Sequence, residues 1–168
     1  MYNPKCINAY VAVYLLVISP SSSVKNVVLR LRAKLGNKIG IYPARYSQPH
    51  ITILSVVIDD SLEHKLFNSL RKIIAQESPI SMTAHGIECF PSNKTIYVGI
   101  RETNLFSTLS KNIWRSPFVS GLPKEFKTSS YVPHLTIGRS LNYNFDSAQN
   151  CFKEYSYEES FMADSALY

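Results

Sequence analysis

Apolar positions along the chain change period several times. YVAVYLLVIS at 10–19 is a continuous apolar run rich in valine and tyrosine, and reads as a buried central strand. Ser23 is placed to cap a helix with Val24, Val27, Val28, Leu31 and Leu35 on one side, and Gly36 closes it. PHITIL at 49–54 reads as a strand. Asp60 or Ser61 then opens a second amphipathic helix that turns Leu62, Leu66, Leu70, Ile73 and Ile74 inward. ISMTAHGIECF (80–90) and KTIYVGI (94–100) are two strands joined by a Pro-Ser-Asn turn. Asn104 caps a third helix with Leu105, Leu109 and Ile113 in register. KEFKTSSY (124–131) is an irregular, basic and aromatic approach to another strand, PHLTIGR (133–139). Phe145, Ala148, Phe152 and Tyr155 mark a fourth helix, and SFMADSALY (160–168) alternates as a last strand.

Helices and strands interleave around one hairpin, which predicts an α+β fold with mixed sheets. The order strand, helix, strand, helix occurs twice and suggests two similar halves within one domain spanning 1–168, a length that can bury a core. Three widely spaced cysteines, Cys6, Cys89 and Cys151, indicate neither a disulfide framework nor a zinc knuckle, and point to a reducing, cytoplasmic setting. Lys5 and the apolar run after it have the look of a signal peptide. The strand-like composition and the lack of a small-residue cleavage site favour a strand, and the run is too short to span a membrane as a helix. The formal charge of +6 suits acidic partners such as phosphates or nucleic acid, and equally a solvated basic surface.

The candidate chemistry lies in two of these strands. Of the four histidines, His50 and His134 each follow a proline and each have a threonine two residues on. Residues i and i+2 of a strand share a face. His50 and Thr52 therefore point one way and Ile51 and Ile53 the other; His134 and Thr136 repeat the arrangement opposite Leu135 and Ile137. An unpartnered buried polar face is costly, so this face must meet water, a ligand or a partner. Two imidazoles facing one cleft can do acid–base work on a phosphodiester: one takes a proton from the attacking oxygen, the other gives one to the leaving oxygen. The threonine hydroxyls can donate to non-bridging oxygens. Strand alternation puts Arg139 on the opposite face unless a bulge at Gly138 redirects it. His64 reads as solvated helix surface and His85 as a structural strand histidine. No HExxH, carboxylate cluster, cysteine pair, nucleophile elbow or P-loop occurs, so no metal or cofactor is expected.

The pair PHITI and PHLTIGR resembles the double motif of the 2H phosphoesterase superfamily, in its 2′-5′ RNA ligase-like branch. The resemblance covers essentially the whole chain. It implies a bilobal fold whose two pseudo-symmetric mixed or antiparallel sheets line a central cleft, with helices outside. It implies His50, Thr52, His134 and Thr136 as the catalytic set, metal-independent, with the two histidine roles left joint. It implies RNA termini or nucleotide 2′,3′-cyclic phosphates as substrates, opened to 2′-phosphomonoesters. 2′-5′ oligonucleotide cleavage or ligation, hydrolysis of a cyclic signalling nucleotide, and a non-catalytic RNA-end or nucleotide-binding module stand as alternatives. Tyr46 and Tyr131, with Tyr42 and Phe126, lie on the approaches to the motif strands, where an aromatic ring can stack a base. Arg45, Lys124, Lys127 and Arg139 are candidates for flanking phosphates. The expected state is a monomer that makes no membrane contact.

Overall fold

The structure is a computed structural model that describes residues 11–163 and 166–167. The strands are β1 (Val11–Ile18), β2 (Ile51–Asp59), β3 (Ile80–Phe90), β4 (Thr95–Ile100), β5 (Lys127–Ser129), β6 (His134–Gly138), β7 (Glu158–Ala163) and β8 (Ala166–Leu167). The helices are α1 (Ser22–Ile39), α2 (Glu63–Ile74), α3 (Thr103–Trp114), α4 (Pro117–Gly121) and α5 (Phe145–Phe152). Two four-stranded sheets run β5-β2-β1-β8 and β6-β4-β3-β7. Every strand pair among the described residues is antiparallel, so the expected mixed pairing does not occur.

Several element boundaries differ from those the sequence suggests. α1 does not stop at Gly36; it runs to Ile39 and ends at Gly40, whose φ of 83° a residue with a side chain would adopt only under strain. Its N-cap is Ser21, whose Oγ accepts from the Val24 N–H, rather than Ser23. α2 starts at Glu63 after a 3₁₀ turn over Asp60–Leu62. α3 includes Asn104 in its first turn, with Glu102 at the N-cap. The stretch read as irregular contains the short strand β5. The last apolar segment is two strands, one in each sheet. β1 is interior in its sheet yet buried on one face only: Leu16 and Ile18 are in the core, while Val11 and Val13 stand 62% and 65% exposed on the other face.

The lobes are interlocked. α1 leaves the first sheet and packs on β6 of the second, while α3 leaves the second sheet and packs on β2 of the first. β2 and β6 also touch directly. Each motif strand therefore has its apolar face under a helix from the other half, and Ile51, Ile53, Leu135 and Ile137 are fully buried there. No helix among the described residues is long and apolar enough to cross a membrane.

One polar side chain ties this interlock together. Arg32 of α1 is only 2% exposed. Its Nε and Nη2 both donate to the Thr136 carbonyl of β6, at 3.0 and 2.7 Å. Its Nη1 donates to the Ser47 carbonyl and, at 3.2 Å, to Ser47 Oγ in the segment leading into β2. No carboxylate among the described residues forms an ion pair with it, and burial pulls its pKa below the ordinary guanidinium value. Replacing it with methionine leaves two carbonyls without their donor. Arg32→Met is expected to lose about 2–4 kcal/mol of unfolding free energy in urea titration. Arg32→Lys should recover only part, because an ammonium cannot fork onto one carbonyl. A loss below about 0.5 kcal/mol, the range of an ordinary surface change, would show that water replaces the guanidinium.

Candidate active site

Both motif strands carry the same irregularity. In β2, Leu16 pairs with Leu54 but Val17 pairs with Thr52, so Ile53 is an extra residue. In β6, Ile96 pairs with Gly138 but Tyr97 with Thr136, so Ile137 is extra. A bulge of this kind puts two successive residues on the buried side and then resumes alternation one step out of phase. Ile53 with Leu54, and Ile137 with Gly138, are the buried pairs. The residue after each pair returns to the cleft, which brings Ser55 there in one lobe and Arg139 in the other. The question left open by simple alternation is thereby answered: Arg139 faces the cleft. Beside each bulge a carbonyl takes donors from outside the strand pair that carries the bulge. That of Ile53 accepts from the Ser130 N–H at 3.2 Å and Ser129 Oγ at 3.1 Å, and that of Thr136 takes the Arg32 fork.

His50, Thr52, His134 and Thr136 all line one cavity of about 520 Å³ between the sheets. The two rings are held alike. His50 Nδ1 lies 2.8 Å from the Gln48 carbonyl, and His134 Nδ1 lies 2.9 Å from the Val132 carbonyl, each two residues back. A carbonyl only accepts, so Nδ1 carries the hydrogen in both rings. Nε2 is then the nitrogen left for chemistry in the neutral form. His134 sits against Tyr97 and Phe90, with ring centroids 5.1 and 5.2 Å away. Its pKa is lowered chiefly by burial, against an upward pull from the Val132 carbonyl, with the nearby His50 adding a smaller downward push. Arg32 and Arg139 supply positive charge to the lining, and no carboxylate is among the described lining residues. The cavity therefore suits an anion. No group of three His, Cys, Asp or Glu side chains among the described residues is placed to hold a metal ion.

The other candidates scatter. Arg45 is folded back on α1: its Nη1 donates to the Gly40 carbonyl at 2.9 Å, and its guanidinium occupies the space a Cβ on Gly36 would need. Tyr46 is 77% exposed and stacks under Arg45 rather than lining the cavity. Tyr131 and Phe126 are exposed outside it, and Lys124 is exposed as well. Tyr42 is a core residue whose hydroxyl donates to the Arg32 carbonyl. Lys127 is misplaced by the sequence reading. It is 6% exposed, and its Nζ donates to the Val119 and Ser120 carbonyls at the end of α4 and lies 4.7 Å over the Trp114 ring. It is the next residue, Thr128, that faces the cavity. His64 is surface, bonded to Asn68.

Arg32, Phe90, Thr95 and Thr128 line the cavity without having been singled out in the sequence. Arg32 left a signal: it interrupts the apolar side of α1 at i+4 from Val28 and i−3 from Leu35.

Comparison with known proteins agrees with this geometry. A protein of Bacillus cereus strain B4264 is 27% identical over 130 residues, 76% of this chain and 69% of its own length. One from Geobacillus kaustophilus is 28% identical over the same share. One from Halalkalibacterium halodurans is 28% identical over 98 residues, 57% of this chain and 54% of its own length. Each bears the name "Putative phosphoesterase". The sequence model of the 2′-5′ RNA ligase superfamily matches residues 18–166, nearly the whole described chain, and the chain belongs to that superfamily of 2H phosphoesterases.

Proposed function

We propose that the protein hydrolyses 2′,3′-cyclic phosphates on RNA termini or nucleotides to 2′-phosphomonoesters. The observation that carries this reading is the matched pair of imidazoles, each tied through Nδ1 to its own backbone and each turned into one cationic cavity. Water attacks phosphorus and passes a proton to a neutral imidazole. The bond from phosphorus to O3′ breaks as the other, protonated imidazole gives its proton to O3′. His134, whose burial favours the neutral ring, takes the role of base, and His50 that of acid. Thr52, Thr136 and Arg139 stabilise charge on the non-bridging oxygens. Both proton transfers are supplied by side chains, so turnover of cyclic mononucleotides is expected to persist in EDTA.

His50→Ala and His134→Ala should each lower kcat by about 100- to 10,000-fold, and Thr52→Ala or Thr136→Ala by about 10- to 1,000-fold. Phosphate release or chromatography of the nucleotide products reads this out. Activity that survives the double histidine change would sink the proposal. Tight binding of the same nucleotides without turnover would make the protein a binding module instead.

The pH dependence has a defined sign. His134 must be neutral to act as base, and its depressed pKa places the acid limb of kcat/KM below 6.5. The rate falls again at higher pH as the acid loses its proton, giving a bell. Stability follows the same group. Between the lowered folded value and 6.5 the unfolded chain binds more protons, so stability drops as pH falls through that window. His134→Gln should flatten this part of the stability profile, measured by urea melts across pH 5–7.

A further inference from the structure

The face of the second sheet that bears His134 continues past the cavity onto β4 and β3. Gly99 pairs with His134 on one side and with His85 on the other, and Tyr97 pairs with Thr136 and with Glu88. These residues share one face, and Glu88 projects its carboxylate across it. Tyr97 donates its hydroxyl to Glu88 Oε2 at 3.1 Å, and His85 Nε2 lies 3.8 Å from Glu88 Oε1. A Cβ on Gly99 would lie 2.4 Å from Oε1, so the glycine makes the room in which the carboxylate sits, one strand away from His134. Burial and the Glu88 charge push the Tyr97 phenol up to about 12, which keeps it a donor. Glu88 itself is about half exposed, leaving its oxygens free to accept more.

Phe90 is on the same face of β3 as this carboxylate. It is two residues from Glu88, roughly 6.8 Å along the strand, lines the cavity, and backs onto Tyr97 with centroids 4.3 Å apart. A phosphate between the histidines therefore has an aromatic surface beside it and a carboxylate beyond. A carboxylate repels a second phosphate, so the strand face is unsuited to a continuing backbone and suited to the N–H edge of a base.

Resting on the cyclic-phosphate reading above, we infer that Glu88 and His85, with Phe90 as stacking surface, form a base subsite selective for guanine. The edge of guanine runs acceptor, donor, donor (O6, N1–H, N2–H). The protein presents the complement in order: a His85 ring nitrogen, then the two Glu88 oxygens. Uracil would set a carbonyl against a carboxylate oxygen, and adenine would set N1, an acceptor, there.

Two measurements test this on the intact protein. First, kcat/KM is compared for guanosine, adenosine and uridine 2′,3′-cyclic phosphates with wild type and Glu88→Gln. Wild type should favour guanosine by about 10- to 100-fold, and Glu88→Gln should remove that preference while changing uridine turnover less than about threefold. Second, calorimetry compares guanosine 2′-monophosphate with uridine 2′-monophosphate on the same two proteins, a readout that needs no catalysis. If no cyclic phosphate turns over yet guanine binding is preferred and depends on Glu88, the subsite stands and the catalytic reading fails. Equal binding of the two monophosphates to wild type overturns the subsite. So does an equal loss for both in Glu88→Gln, which would mark Glu88 as a support for Tyr97 only.

Discussion

The two histidines can share a phosphorus centre only if two strands from different sheets keep a fixed separation. Arg32 is the side chain that spans that separation. It is buried on α1, forks onto the carbonyl of Thr136, and reaches the segment that delivers His50. A guanidinium stripped of water and given no carboxylate is expensive to bury. Its cost is offset by carbonyls of the two half-sites, Thr136 on β6 and Ser47 before β2. The same unneutralised charge lines the cavity, so the clamp that sets the geometry also sets the sign of the potential.

The exchange of helices explains why such a clamp is available. Had α1 folded back on its own sheet, Arg32 would have met only its own lobe. Because α1 covers β6 and α3 covers β2, the burial of either apolar face requires both halves. α3 contributes in the same way: the fully buried Ser110 donates to the Ser130 carbonyl at 2.7 Å, its Oγ 2.6 Å from that of Ser129, supporting the residues that satisfy the Ile53 carbonyl. A carbonyl beside each bulge is thus held by a side-chain system anchored on a helix from elsewhere in the chain.

What could be read from the sequence follows from the range of each interaction. The histidine–threonine pairs were legible because the two-residue period of a strand is local and the pattern occurs twice. The apolar faces beneath them were legible for the same reason. Arg139 was ambiguous because a bulge changes phase by one residue, and nothing in Ile-Gly-Arg states whether the bulge forms. Lys127 was misread because β5 is only three residues long, too short for its alternation to stand out, and its ammonium is claimed by carbonyls of a short helix that was not foreseen. Arg45 is unavailable to a ligand because Gly36 is not the helix end that its sequence context suggests but the gap in α1 that the guanidinium fills. Arg32 does not stand out in the sequence because a basic residue on a helix is ordinarily solvent-facing. Its place on the apolar side was visible, but its partners lie 15 and 104 residues away.

The pseudo-symmetry is a symmetry of backbone, and the side chains break it. Relative to the two bulges, Ser55 occupies the place of Arg139, Leu15 that of Thr95, and Val17 that of Tyr97. The lobe of β6 is therefore basic, hydroxylated and aromatic, while the lobe of β2 is flanked by the exposed apolar side of β1, with Val11 and Val13. Two imidazoles set in equal frames have unequal surroundings, and burial lowers the pKa of His134. A phosphodiester hydrolysis needs this inequality, since one ring must lack the proton that the other holds. The two strands present matched histidine–threonine pairs to one cavity, and divergence of their neighbours makes its two sides chemically unequal.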